Sequence, residues 1–192
     1  MKNITIIGGG VLGSQIAFQV AYSNFNVTIW SRSKESIERT KTKLKELKKT
    51  YTSEINKMSQ DKSLSTWCMG ISNYDDFKKE KCLSQAEKAY KNIVFKLDLE
   101  ESIKDADLVI ESMTEDFNAK KDLYKSLAPI LEEKTILVTN SSTMLPSSLA
   151  KYTKRPDRFL ALHFANSIWK NNTAEVMKHN KTSETSFNKV ID

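Results

Sequence analysis

Three glycines spaced Gly8-x-Gly10-x-x-Gly13 follow directly on a short, mostly β-branched run, Asn3-Ile4-Thr5-Ile6-Ile7. No other feature restricts the fold of this chain so sharply. A buried strand that stops at glycine needs a tight turn. Leu12, Ile16 and Val20 then recur at helical spacing, which predicts a helix opening within or just after the glycines. Residues 26–30, Asn-Val-Thr-Ile-Trp, read as a second strand. Strand, glycine turn, helix and strand in that order form a βαβ unit. Within it, Gly8 permits the turn, Gly10 lets the backbone approach a pyrophosphate, and Gly13 allows the helix to pack close on the strand. The first helical residues, Val11 and Leu12, present free N–H groups and the positive end of the helix dipole to phosphates. Dinucleotide binding is the expectation.

A long polar helix comes next, with Ile37, Leu44, Leu47, Tyr51, Ile55 and Met58 as a narrow apolar stripe. A second helical stretch carries Leu83, Ala86, Ala89 or Tyr90, and Ile93, after a less regular connection around Trp67–Tyr74. The two predict a helical hairpin over about residues 34–92 that projects from the sheet as an excursion, because strand patterns resume at once. They fall at residues 93–97, 108–111, 135–140 and 159–164, with a helix carrying Phe117, Leu123, Tyr124, Leu127 and Leu131 between the second and third. Residues 174–178 add a short strand, and Thr182 or Ser183 caps a last helix. Strands alternating with helices predict an α/β fold, a Rossmann-type doubly wound, mostly parallel sheet with a helical-hairpin insertion. At 192 residues this is one dinucleotide-binding domain with an elaboration.

Composition removes several function classes. No apolar run approaches the ~18 residues that span a bilayer, and Gly8–Gly10 arrive where a signal peptide's apolar region would continue, so a cytoplasmic protein without membrane contact is expected. Cys68 and Cys82, with only His163 and His179 besides, make a poor metal-ligand set, and no metal is expected. The net charge is +6, and residues 34–62 hold nine Lys/Arg against five Asp/Glu. No aromatic residues alternate with those lysines as a nucleic-acid stacking platform requires. An anionic small molecule is therefore the expected partner, not a polynucleotide.

Two further groups carry chemistry. The second strand of a dinucleotide-binding unit ordinarily ends in an acid that holds the adenosine ribose 2′-OH. Here that place is taken by Ser31 and Arg32, which suit a 2′-phosphate, so NADP is favoured slightly over NAD and both stay open. Asn140-Ser141-Ser142-Thr143 and His163-Phe164-Ala165-Asn166 each close a strand, and Glu175 lies twelve residues beyond His163. In an open α/β sheet these polar ends converge at the carboxyl edge, where ligands bind. A histidine beside a carboxylate is a competent acid/base pair, the carboxylate fixing the tautomer and stabilising the imidazolium. On spacing alone, a satisfied core histidine is an equal alternative.

Taken together, Gly8–Gly13 with Ile16-Ala17, Val109-Ile110-Glu111…Glu115…Lys120, Asn140-Ser141-Ser142 and His163-Phe164-x-Asn166…Glu175-Val176 resemble the N-terminal domain of the 3-hydroxyacyl-CoA dehydrogenases over the whole chain. The resemblance implies an oxidoreductase of fatty acid metabolism that interconverts 3-hydroxyacyl-CoA and 3-oxoacyl-CoA with short or medium acyl groups. It implies that His163 is the general base for the 3-hydroxyl, and that Glu175 orients it. Ser142 and Asn166 match residues that bond the substrate oxygen and the nicotinamide region, and Glu115 and Lys120 match cofactor-contacting positions. The basic hairpin matches the region that meets the phosphates of coenzyme A.

There are departures from the family pattern. Ser31 stands where the family has aspartate, Ser141 where it has threonine, and Ser167 where it has proline. The family's helical substrate and dimerisation domain, which makes full-length members homodimers, is absent from these 192 residues, so slow turnover by this chain alone is expected. A non-catalytic nucleotide-binding paralogue and a Rossmann dehydrogenase of another small hydroxy acid are the alternatives.

Overall fold

The computed structural model describes residues 1–192. Its core is one seven-stranded sheet. In chain order the strands are β1 (Asn3–Ile7), β2 (Asn26–Trp30), β3 (Val94–Lys96), β4 (Leu108–Glu111), β5 (Ile136–Thr139), β6 (Phe159–Phe164) and β7 (Ala174–Met177). They lie side by side in the order β3-β2-β1-β4-β5-β6-β7. Every pairing is parallel except the last, where β7 runs antiparallel to β6. The chain winds outward from β1 toward β3, then returns beside β1 at β4. The gap between the carboxyl ends of β1 and β4 is the topological switch point at which such sheets bind ligands.

Parallel strands covered on both faces are largely apolar, which explains these runs. All four residues of β4 and of β5 are buried. Alternate residues serve opposite faces. Ile4, Ile6, Ile110 and Val138 join a cluster with the helix α1 (Val11–Tyr22), while Ile7, Val109, Leu137 and Phe159 join another with α5 (Phe117–Leu127).

The helical hairpin is α2 (Lys34–Gln60) and α3 (Lys79–Asn92). It does not stand clear of the sheet. Leu44, Leu47, Tyr51, Ile55 and Met58 of α2 and Ala86 and Ala89 of α3 belong to the same core cluster as the strands. Tyr51 packs its ring on Phe18 and Tyr22 of α1, with centroids 4.6 and 5.3 Å away, and its hydroxyl donates to Gln19. Of the stripe, Ile37 is only half-buried, and Thr40 replaces it inside, its Oγ1 lying 3.0 Å from the Gly9 carbonyl and 2.8 Å from that of Ser36.

A one-turn helix, α4 (Leu99–Ile103), was not expected. Asp98 caps it by accepting from the Glu101 N–H at 2.8 Å, and one turn is too short to display a period. A second short turn, α6 (Pro146–Leu149), starts on a proline at a first-turn position. The last helix, α7 (Glu184–Ile191), is capped by Ser183, which accepts from the Ser186 N–H.

The turn between β1 and α1 depends on backbone contact. Gly8 has φ +105°, a conformation side chains disfavour. A Cβ on Gly13 would lie 2.0 Å from the Gly8 carbonyl oxygen, so α1 touches the turn that precedes it. Gly13→Ala is expected to destabilise the chain by about 2 kcal/mol or more, read as a lower denaturant midpoint at unchanged slope.

Candidate active site

Two clefts open at the carboxyl edge of the sheet, one on each side of the switch point, and Gly10, Ser112, Met113 and Thr114 line both. The cleft on the β2 side is also lined by Gly8, Ser31 and Arg32. The cleft on the β5 and β6 side is lined by Val11, Leu12, Gly13, Glu115, Ser142, His163 and Asn166. Lys120 and Glu175 line neither; each meets the second cleft through a neighbour.

The glycine turn fits a pyrophosphate. Gly10 is the N-cap of α1 with no side-chain cap, and the first turn of the helix carries no acid. The leading N–H groups and the positive end of a twelve-residue helix are therefore unneutralised. A Cβ built on Gly10 meets nothing within 4 Å, so the space beside it is open to a ligand. In the adjoining cleft, the buried Ser31 hydroxyl has no hydrogen-bond partner. An orphaned buried hydroxyl at the end of β2 suits a site whose remaining donor or acceptor is the adenosine end of a dinucleotide.

Behind the second cleft lies a buried ion pair. Glu111, the last residue of β4, is fully buried. It accepts from Lys120 Nζ at 2.6 Å, the Met113 N–H at 2.7 Å, the Tyr124 hydroxyl at 2.7 Å and Thr139 Oγ1 at 2.8 Å. Those donors satisfy both carboxylate oxygens. Burial, and then the Glu111 charge, push the Tyr124 phenol well above its ordinary value, so it remains a donor. Lys120 is equally buried, and its ammonium stands 3.7 Å from Glu115. Lys120 thus faces the interior, and Glu115 lies between it and the cleft.

Glu115 sets the loop after β5. Its carboxylate accepts the Ser142 N–H at 2.7 Å and the Ser141 hydroxyl at 2.7 and 2.9 Å. Asn140 ties the neighbouring strand end, accepting the Phe164 N–H at 3.0 Å. Partial burial raises the Glu115 carboxyl, but the donors from Ser141 and Ser142 and the Lys120 charge outweigh it and hold the group below its ordinary value.

His163 and Glu175 are direct partners in the antiparallel β6–β7 register, which turns their separation along the chain into contact. His163 Nδ1 lies 3.2 Å from Glu175 Oε2. An ionised carboxylate only accepts, so Nδ1 carries the proton and Nε2 keeps a lone pair. The contact fixes the orientation of the ring, whose Nε2 is left without a hydrogen-bond partner in the protein.

The β6–β7 turn departs from a proline-bearing one for a visible reason. Ser167 has φ +58° and its N–H donates to Gln15 Oε1 of α1 at 2.9 Å. Proline can supply neither. Gln15 was not singled out in the sequence, and neither were Ser36, Arg39 and Lys43, which line the first cleft from α2.

The match to the family model "3-hydroxyacyl-CoA dehydrogenase, NAD binding domain" covers residues 3–192. The human mitochondrial hydroxyacyl-coenzyme A dehydrogenase is 29% identical over 192 residues, 100% of this chain and 55% of that protein. The 3-hydroxybutyryl-CoA dehydrogenase of Clostridioides difficile is 29% identical over 190 residues, 98% of this chain and 58% of its own length. A solved diketoreductase, described as acting on dicarbonyl compounds, superposes with a TM-score of 0.84 at 40% identity, covering 100% of this chain and 59% of that one. The chain thus spans just over half the length of these relatives. No helix is long and apolar enough to cross a membrane.

Two outcomes test this geometry. Gly10→Ala is expected to leave the denaturant midpoint unchanged while weakening dinucleotide binding, measured by fluorescence titration. For Glu115 the folded-state value is lowered, so its contribution to stability is full above the unfolded value of about 4.3 and is lost as pH falls through the folded value. Glu115→Gln is expected to remove that part of the acid limb of a stability-against-pH curve.

Proposed function

Because the chain belongs to the 3-hydroxyacyl-CoA dehydrogenase family through its NAD binding domain, we propose that it binds a nicotinamide dinucleotide and interconverts a 3-hydroxyacyl-CoA and a 3-oxoacyl-CoA. The observation that carries this reading is the His163–Glu175 pair, 3.2 Å apart, beside Ser142 and Asn166 in the cleft that begins at the glycine turn. A pure nucleotide-binding module has no use for such a pair.

A bound nicotinamide supplies the two-electron acceptor or donor. The rest is work for the chain's own residues. In oxidation, His163 Nε2 takes the proton of the 3-hydroxyl as the C3 hydrogen departs with its electrons. In reduction, the same nitrogen returns a proton to the carbonyl oxygen. Glu175 stabilises the imidazolium between these events. Ser142 and Asn166 donate toward the substrate oxygen, where charge develops. Glu115, braced by Lys120, fixes the Ser142 loop and lines the cleft that would receive the nicotinamide. The glycine turn and the N-terminus of α1 hold the pyrophosphate. The dinucleotide is NAD(H) or NADP(H), with Ser31 and Arg32 favouring the latter. The basic hairpin attracts the phosphates of coenzyme A.

A second reading has one observation in its favour, the 40% identity to a diketoreductase. It keeps the same proton chemistry and replaces the thioester by a free dicarbonyl compound. Competition separates the two, since free coenzyme A inhibits only a thioester enzyme.

The test is oxidation of reduced cofactor driven by acetoacetyl-CoA. His163→Gln is expected to lower that rate by about 10²- to 10⁴-fold while cofactor binding persists. Unchanged turnover in the variant would refute the reading.

A further inference from the structure

We propose that the start of α2 is a 2′-phosphate subsite, so that this chain selects NADP(H); the inference rests on the dinucleotide reading above and assigns the chemistry of its adenosine end. The cleft beside β2 is lined by Ser31, Arg32, Ser36, Arg39 and Lys43, and no aspartate or glutamate lines it. An NAD site needs an acceptor there for the ribose hydroxyls, commonly a carboxylate. This cleft offers donors and positive charge instead.

The arrangement follows from the register of one helix. Ser36, Arg39, Thr40 and Lys43 are spaced three, four and seven residues apart, so they share a face. Thr40 is buried with its hydroxyl shared between the Gly9 carbonyl at 3.0 Å and the Ser36 carbonyl at 2.8 Å, so this face of α2 is seated on the glycine loop. The tightness of that contact is plain from Gly9, where a Cβ would lie 2.1 Å from Thr40 Oγ1. With Thr40 seated on the glycine loop, its neighbours on the same face flank the cleft. Arg39 donates to Ser36 Oγ at 2.8 Å, which orients both toward the same ligand space.

Charge pairing leaves this face free, as it also leaves Lys34 and Lys45, while other lysines of the helix are neutralised. Lys41, Lys49 and Lys57 each neutralise a glutamate three residues earlier, Glu38, Glu46 and Glu54. Arg32, Arg39 and Lys43 have no carboxylate within salt-bridge distance. Ser31 adds the independent observation. Its hydroxyl is buried at 4% exposure, and it has no partner in the protein. A phosphate dianion would accept from that hydroxyl and from the guanidinium forks, which match phosphate oxygens in pairs.

The experiment is a set of fluorescence titrations of the 192-residue chain with NADPH and NADH, with 2′,5′-ADP and 5′-ADP as competitors. NADPH is expected to bind about tenfold or more tightly than NADH, and 2′,5′-ADP to displace it better than 5′-ADP. Arg39→Ala with Lys43→Ala is expected to weaken NADPH about tenfold and NADH less than about twofold. Ser31→Asp is expected to reverse the preference, and its denaturant midpoint reports whether it folds. NADH binding as tightly as NADPH, or the double variant weakening both alike, overturns the subsite and leaves the dinucleotide site standing. Binding of neither nucleotide overturns both.

Discussion

The approach of α1 to the turn before it is the constraint on which the rest of the molecule depends. With no side chain at Gly13, the helix starts against the Gly8 carbonyl, directly at the carboxyl end of β1. That start point aims the helix N-terminus at the switch point between β1 and β4. It also lets α2 lean on Gly9 through Thr40, which carries the whole hairpin into register with the sheet. Displacing α1 by the width of a methyl group would disturb the phosphate cradle, the hairpin and the Gln15 link to the β6–β7 turn together.

The two sides of the site are held by different physics. The proposed nucleotide side is backbone where the pyrophosphate would sit, with glycines and helix N–H groups, and side chain only toward the adenosine end, at Ser31, Arg32, Arg39 and Lys43. The proposed reacting side is side chain, and it rests on the buried Glu111 carboxylate, which is bonded through both oxygens. Glu111 and Lys120 are both shielded from water, and such a pair holds only because every partner is in place. Its role is positional. The pair braces Glu115, and Glu115 shapes the loop that bears Ser142.

Much of the fold was legible because parallel strands covered on both faces are largely apolar, and β1, β4, β5 and β6 are such runs, broken by Thr5 in β1 and otherwise polar only toward their ends. The hairpin was legible from the Leu44–Met58 stripe. The one-turn helices were not, since one turn shows no period. The meeting of His163 and Glu175 could be anticipated because a short strand pattern lay between the histidine and the end of the chain. Lys120 was less transparent. It falls on an amphipathic helix where a lysine reads as exposed, and only its tertiary partner on β4 explains its burial. Arg39 and Lys43 were hidden for the opposite reason. A run of lysines and glutamates reads as a solvated face, and the cleft side emerges only once Thr40 is seated on Gly9.

β7 is the last strand, antiparallel and mostly exposed, with β6 as its single neighbour. It carries Glu175, while the nucleotide cradle sits across the sheet on β1, β2 and the helices around them. The two halves of the chemistry therefore have separate tolerances for change. Substitutions at the exposed residues of β7 can re-aim the acid/base pair without touching a glycine or the core beneath it. That freedom does not extend to the turn before β7, where Ile168 is buried in the core and the Trp169 carbonyl accepts the Gly70 N–H at 3.0 Å. Under the proposed function, a lineage built on this plan can alter its carbonyl substrate by small steps at that edge while the cleft beside the glycine turn stays as it is.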